Sequence, residues 1–181
     1  TGGLVGNAST KDANHAITID HVSNSAAVTS AQGVGGILGK SEANGPEVHI
    51  TNAVNTGTIT ATTNGYIGGI AGQLNAGTVS YAYNSGKIVS TTNNTGGIVG
   101  AANGAGISVS YAVNAGDMSE TKNASGIIGG VKSDTVISHA VDAASKSGSS
   151  YYAIVGTSTA PTIEDAITTG GYVDTNHWTK G

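Results

Sequence analysis

The chain predicts an all-β fold, a three-sided parallel β-helix of about six coils, and three observations carry that expectation. A Gly-Gly-aliphatic-aliphatic-Gly block recurs along the 181 residues; a second block holds an aliphatic residue and an Asn at a constant interval of five; and the apolar residues are small or aliphatic, with no Phe and one Trp. Repeats with a period of roughly 20 to 50 residues build solenoids or propellers, because one unit cannot bury its apolar face alone.

The first block reads Gly2-Gly3-Leu4-Val5-Gly6, Gly35-Gly36-Ile37-Leu38-Gly39, Gly68-Gly69-Ile70-Ala71-Gly72 and Gly96-Gly97-Ile98-Val99-Gly100. Looser copies follow at Ser125-Gly126-Ile127-Ile128-Gly129 and Tyr152-Ala153-Ile154-Val155-Gly156, so the steps are 33, 33, 28, 29 and 27 residues. The second block gives the pairs Ile19/Asn24, Ile50/Asn55, Val79/Asn84, Val109/Asn114, Ile137/Asp142 and Ile163/Thr168. In four units a Gly and then a further aliphatic residue follow, as in Asn55-Thr56-Gly57-Thr58-Ile59, which predicts a turn into a third short strand. Three short strands in a unit of this length suit a β-helix coil better than a propeller blade of roughly 40 to 45 residues. Right-handed coiling is the default for parallel crossovers.

Inward columns follow from the repeat. Ile19, Ile50, Val79, Val109, Ile137 and Ile163 form one, and Val22, Ala53, Ala82, Ala112, Ala140 and Ala166 another. A slim interior of this kind leaves no room for Phe. The Asn24, Asn55, Asn84, Asn114 column predicts a ladder of side-chain amides at the turn, ending at Asp142 and Thr168. Asn and Gly in these turns are expected to take the left-handed conformation of a sharp corner.

Composition narrows the function. Lys, Arg, Asp and Glu make up 10% of the chain against a usual ~25%. The seven basic residues are all Lys, none of them clustered, and the net charge is −4, so nucleic acid is not expected as a partner. No run approaches the ~18 apolar residues of a membrane span. The absence of Cys removes disulfides, thiolate catalysis and Cys-based zinc sites. The carboxylates are scattered, and the adjacent Glu164 and Asp165 face opposite sides of a strand, so neither catalysis nor a metal or other cofactor is expected.

The Gly96-Gly97-Ile98-Val99-Gly100 and Ser110-Tyr111-Ala112-Val113-Asn114-Ala115-Gly116 blocks resemble the GLUG-type repeats of bacterial cell-surface proteins. Similar repeats occur in large adhesins and in the non-catalytic N-terminal part of immunoglobulin A proteases, whose His-Glu-x-x-His signature is missing here. The resemblance covers all six units. It implies an extracellular, surface-anchored or secreted parent protein, with no catalytic residue in this segment.

Two surfaces are candidates for recognition of a host glycan or surface protein. The position two after the inward aliphatic reads His21, Asn52, Tyr81, Tyr111, His139 and Asp165, and an outward orientation would stack Tyr81, Tyr111, His139 and Asp165 into a stripe. The first two coils also carry the longest intervals between the two blocks, with Lys11, Asp12 and His15 on one bulge and Lys40, Glu42 and Glu47 on the other. Lys11 and Lys40 are the cations expected at that corner. The segment 171–181, with Trp178, is expected to cap the solenoid. The whole of 1–181 reads as one domain, excised from a longer chain with linked neighbours. A polysaccharide-acting β-helix enzyme is the alternative reading, and an ice-binding Thr face a weaker one, because Thr58-Ile59-Thr60 is not repeated in Lys87-Ile88-Val89.

Overall fold

The computed structural model describes residues 1–10, 14–31, 33–63, 65–91, 94–118, 121, 124–132, 134–145, 151–158 and 161–169. Lys11 and the expected cap at 171–181 lie outside these residues. The described strands pair in parallel throughout, with no helix among them, and stack as a β-solenoid. One coil shows the plan. Tyr66–Gly68 leads through a tight bend into Ala71–Leu74, a short connection reaches the long strand Gly77–Asn84, and a second turn reaches Ile88–Ser90. Among the described residues, stacking these segments coil upon coil produces four sheets of five, six, seven and three strands respectively.

The parallel solenoid is the fold that the repeat predicts, with two refinements. Six copies of the glycine block delimit about five complete turns, because each turn runs from one copy to the next. The sheets number four because the residues before the glycine block form a strand of their own, folded back on the strand that follows. Three glycine columns make this fold-back possible. A Cβ on Gly68 would lie 2.7 Å from Gly100 N; one on Gly69 would lie 2.7 Å from Asn84 Nδ2; and one on Gly72 would lie 2.8 Å from Val34 O and 2.9 Å from Tyr66 O. Such contacts are closer than real Cβ atoms make, so the block encodes close backbone approach.

Register transmits every position along the rod. Ile19, Ile50, Val79, Val109, Ile137 and Ile163 pair in succession, as do Val22, Ala53, Ala82, Ala112 and Ala140. These columns point inward as expected and join Ile37, Ile70, Ile98 and Ile127 in the larger of two apolar clusters. Val28, Ile59, Ile88 and Met118 form the spine of the second cluster, with Val34 and Ile67. In sequence the Asn column stands between the two, since Asn55 follows Ala53 of the first and precedes Ile59 of the second.

The Asn ladder forms, and it has a direction. Each Nδ2 donates to the Oδ1 of the next coil: Asn24 to Asn55 at 2.8 Å, Asn55 to Asn84 at 2.8 Å, Asn84 to Asn114 at 2.9 Å, and Asn114 to Asp142 at 3.5 Å. The same amides donate to turn carbonyls two residues on, at Ala26, Gly57 and Gly86. Burial of all five side chains makes these bonds obligatory.

The corner conformation falls elsewhere than expected. Neither the Asn column nor the turn glycines Gly57, Gly86 and Gly116 have positive φ; instead one column of the long strand is left-handed in coil after coil, His21, Asn52, Tyr81, Tyr111, His139 and Asp165, all with φ between 47° and 51°. Each drops out of the ladder register, which passes from Ser80↔Ser110 directly to Ala82↔Ala112. This single unpaired residue kinks the long strand in every coil. It also resets the alternation, so that Val79 and Ala82 both face the core while Ser80 and Tyr81 face out.

Candidate functional site

The kink decides where the predicted stripe points. In a regular strand, a residue two after an inward aliphatic would also face inward; the left-handed backbone swings it into solvent, leaving Tyr81 57% and Tyr111 47% exposed. Tyr81 and Tyr111 stack with ring centroids 4.9 Å apart and planes 5° apart, and Tyr111 stacks on His139 at 4.6 Å and 18°. His139 Nε2 lies 3.6 Å from Asp165 Oδ2. Toward the other end, Asn52 Nδ2 donates to Asp20 Oδ1 over 2.9 Å, and His21 Nδ1 lies 2.8 Å from Asp20 Oδ2. The Asn52 amide first, and then His21, hold the Asp20 carboxyl below the ordinary carboxylate range. The structure therefore brings Tyr81, Tyr111, His139 and Asp165 together in one column.

What this column offers a ligand follows from the stacking. Both faces of Tyr111 are covered, by Tyr81 and by His139, so Tyr111 offers its edge and hydroxyl, while Tyr81, 57% exposed, is stacked by a ring on one face among the described residues. Sugar recognition by aromatic residues uses open ring faces. The adjacent outward column, Val54, Tyr83, Val113 and Val141, adds an apolar stripe alongside.

Lys40 sits on a different sheet. It belongs to the strand Leu38–Ser41 and not to the bulge, because the coil leaves its strand only after Ser41. Register places it between Asn7 and Gln73. Lys40 Nζ is 3.1 Å from Glu42 Oε1, which also accepts from Asn7 Nδ2 at 2.6 Å. Asn7 and then Lys40 hold the Glu42 carboxyl low. No family model, curated relative or solved structure matches the chain.

Two groupings escaped the sequence reading. Asp142 and Tyr151 meet at the end of the Asn ladder, where the Tyr151 hydroxyl donates to Asp142 Oδ1 at 3.0 Å; burial, and then the Asp142 charge, push the phenol far above its ordinary range. The second is a cleft of about 600 Å³ lined by residues that include Lys40, Tyr66, Gln73 and Asn94. Among the described residues no group of three or more His, Asp and Glu is placed to hold a metal ion, and no helix is long and apolar enough to cross a membrane.

Proposed function

We propose that this chain is a non-catalytic module of a bacterial cell-surface protein, a rigid rod that serves as a stalk and presents an adhesive face to a host glycan or surface protein. The observation that carries the reading is the coil-to-coil continuity of the buried amide ladder from Asn24 to Asp142. A ladder of this kind couples each turn to the next and resists bending, which is what a stalk requires. The resemblance to GLUG-type repeats supports the extracellular placement. The distribution of carboxylates supports a non-catalytic role, since Asp20, Glu42, Asp117 and Asp165 each lie beside a different cationic or amide partner in separate parts of the rod.

The test is binding of the chain to arrays of host glycans and matrix proteins, with Tyr81→Ala/Tyr111→Ala and Lys40→Ala variants checked for retained fold. Saturable binding to one class of ligand, lost in a folded variant, establishes the adhesive role. Turnover of a polysaccharide by the chain would sink the non-catalytic reading.

A further inference from the structure

Beyond host binding, we propose that the column of Tyr81 and Tyr111, with the apolar strip beside it, is a contact for a second copy of this chain, the two rods lying antiparallel. Five of the six exposed large apolar side chains among the described residues, Tyr81, Tyr83, Tyr111, Val136 and Ile167, stand on the sheet of long strands. Exposed apolar surface gathered on one face marks an interaction site, and Tyr is among the residue types enriched at such interfaces.

The chemistry of the face narrows its occupant. Through the four middle strands, Val48–Asn55, Gly77–Asn84, Ile107–Asn114 and Thr135–Asp142, the sole Asp, Glu or Lys is Asp142, which is buried on the inward side. The polar groups turned outward there are hydroxyls, one amide and two imidazoles, each able to donate and to accept a hydrogen bond. Groups of this kind can meet their own kind without setting donor against donor, so the face is complementary to itself.

The order of residues along the rod sets the direction. The left-handed column reads His21, Asn52, Tyr81, Tyr111, His139, Asp165. Reversed against itself about its centre, it sets Tyr81 against Tyr111, Asn52 against His139 and His21 against Asp165, so the carboxylate at one end meets the imidazole at the other. Laid parallel, it sets Asp165 against Asp165. The neighbouring strip reads Val54, Tyr83, Val113 and Val141; reversal about the same centre sets Val54 against Val141 and Tyr83 against Val113. Asp20 and Glu164 precede the kink and lie on the far side of it from this strip. Each contact occurs twice, once in each direction, so the pair closes at two copies. On the stalk reading, rods that project toward each other from facing surfaces meet in this orientation.

Sedimentation velocity of the chain from about 5 to 500 µM should show a monomer giving way to a dimer and nothing larger. Tyr83→Glu and Val113→Lys, each placing a charge in the apolar strip, should each weaken association at least tenfold, with unchanged thermal midpoints showing that both fold. Thr60→Lys, on another sheet, should leave association unchanged. Mixing the first two variants tests the orientation. In the antiparallel pair the carboxylate introduced at position 83 lies against the ammonium introduced at position 113, so the mixture should dimerise where neither variant does alone. A chain that stays monomeric throughout, association that survives Tyr83→Glu, or a mixture no tighter than its parts would overturn the proposal. Host binding is read separately from the arrays above: no binding there with the dimer intact sinks the host-ligand reading alone, and binding there by a monomeric chain sinks this proposal alone.

Discussion

Tyr151 donates its hydroxyl hydrogen to Asp142 Oδ1 over 3.0 Å in the coil where a carboxylate takes the place of Asn. Asp142 also accepts from Asn114 Nδ2, from Ala144 N at 3.2 Å and from Thr168 Oγ1 at 3.4 Å. A carboxylate accepts and does not donate. It can therefore only close the ladder, and its position at this end orients every amide before it with Nδ2 toward Asp142.

Removing the phenol isolates one consequence for pH. The folded-state pKa of Tyr151 is raised, so the folded chain keeps a proton that the unfolded chain releases above about pH 10. The stability tied to this group is complete below that pH and falls as pH rises above it, by up to ~1.4 kcal/mol per unit. Urea unfolding between pH 9 and 11 should show a steeper loss for the parent chain than for Tyr151→Phe. Equal slopes would show that the phenol ionises freely in the folded state.

Breaking the ladder in its middle should cost more than loss of one hydrogen bond. Asn84→Ala takes from Asn55 Nδ2 one of its two acceptors, leaving Gly57 O, strips Asn114 Oδ1 of a donor and deprives Gly86 O of the Asn84 amide, a loss of ~2–4 kcal/mol. Gly69→Ala reaches the same ladder from the other side, because its Cβ collides with the Asn84 amide and the Gly97 carbonyl. Chemical denaturation of both variants should show losses of similar size, and the double variant should lose less than their sum because the overlap with the amide is relieved.

The left-handed column can be tested at Asn52, where φ is 50°. Asn52→Gly and Asn52→Ala both remove the bond to Asp20, so the difference between them reports the backbone alone. The Ala variant should be about 1 kcal/mol less stable than the Gly variant by urea unfolding. A difference of zero would mean that the kink carries no strain.

Ser125 occupies the first-glycine position of its block, and among the described residues its Oγ is buried with no hydrogen-bond partner. Ser125→Ala keeps the Cβ that the coil already accommodates and deletes the unsatisfied hydroxyl. The variant should gain about 1 kcal/mol, seen as a higher thermal midpoint; a loss of stability would mean the hydroxyl is satisfied in solution.

Much of the architecture was legible before the structure. The glycine blocks located the bends, the interval of five located the long strand and its terminal Asn, and the aliphatic columns located the core, because a stacked repeat converts sequence period directly into spatial register. The outward turn of Tyr81 and Tyr111 was less visible. Its signal was the company they keep, since His, Asn and Asp fill the other four positions of the column and are the non-glycine types most tolerant of positive φ.

The sequence by itself determined the parallel β-solenoid, the inward columns and the Asn ladder, because each depends on the chemistry of one position repeated at a constant spacing. Only the tertiary structure decided the direction of the ladder, the pairing of Tyr151 with Asp142, the fourth sheet, and the cleft that sets Lys40 and Gln73 opposite Tyr66 and Asn94. The first two depend on a single carboxylate that accepts from both Asn114 and Tyr151, outside the repeated pattern; the last two depend on how two strands of one coil fold back across glycine, which sets side by side residues that no shared spacing along the chain connects.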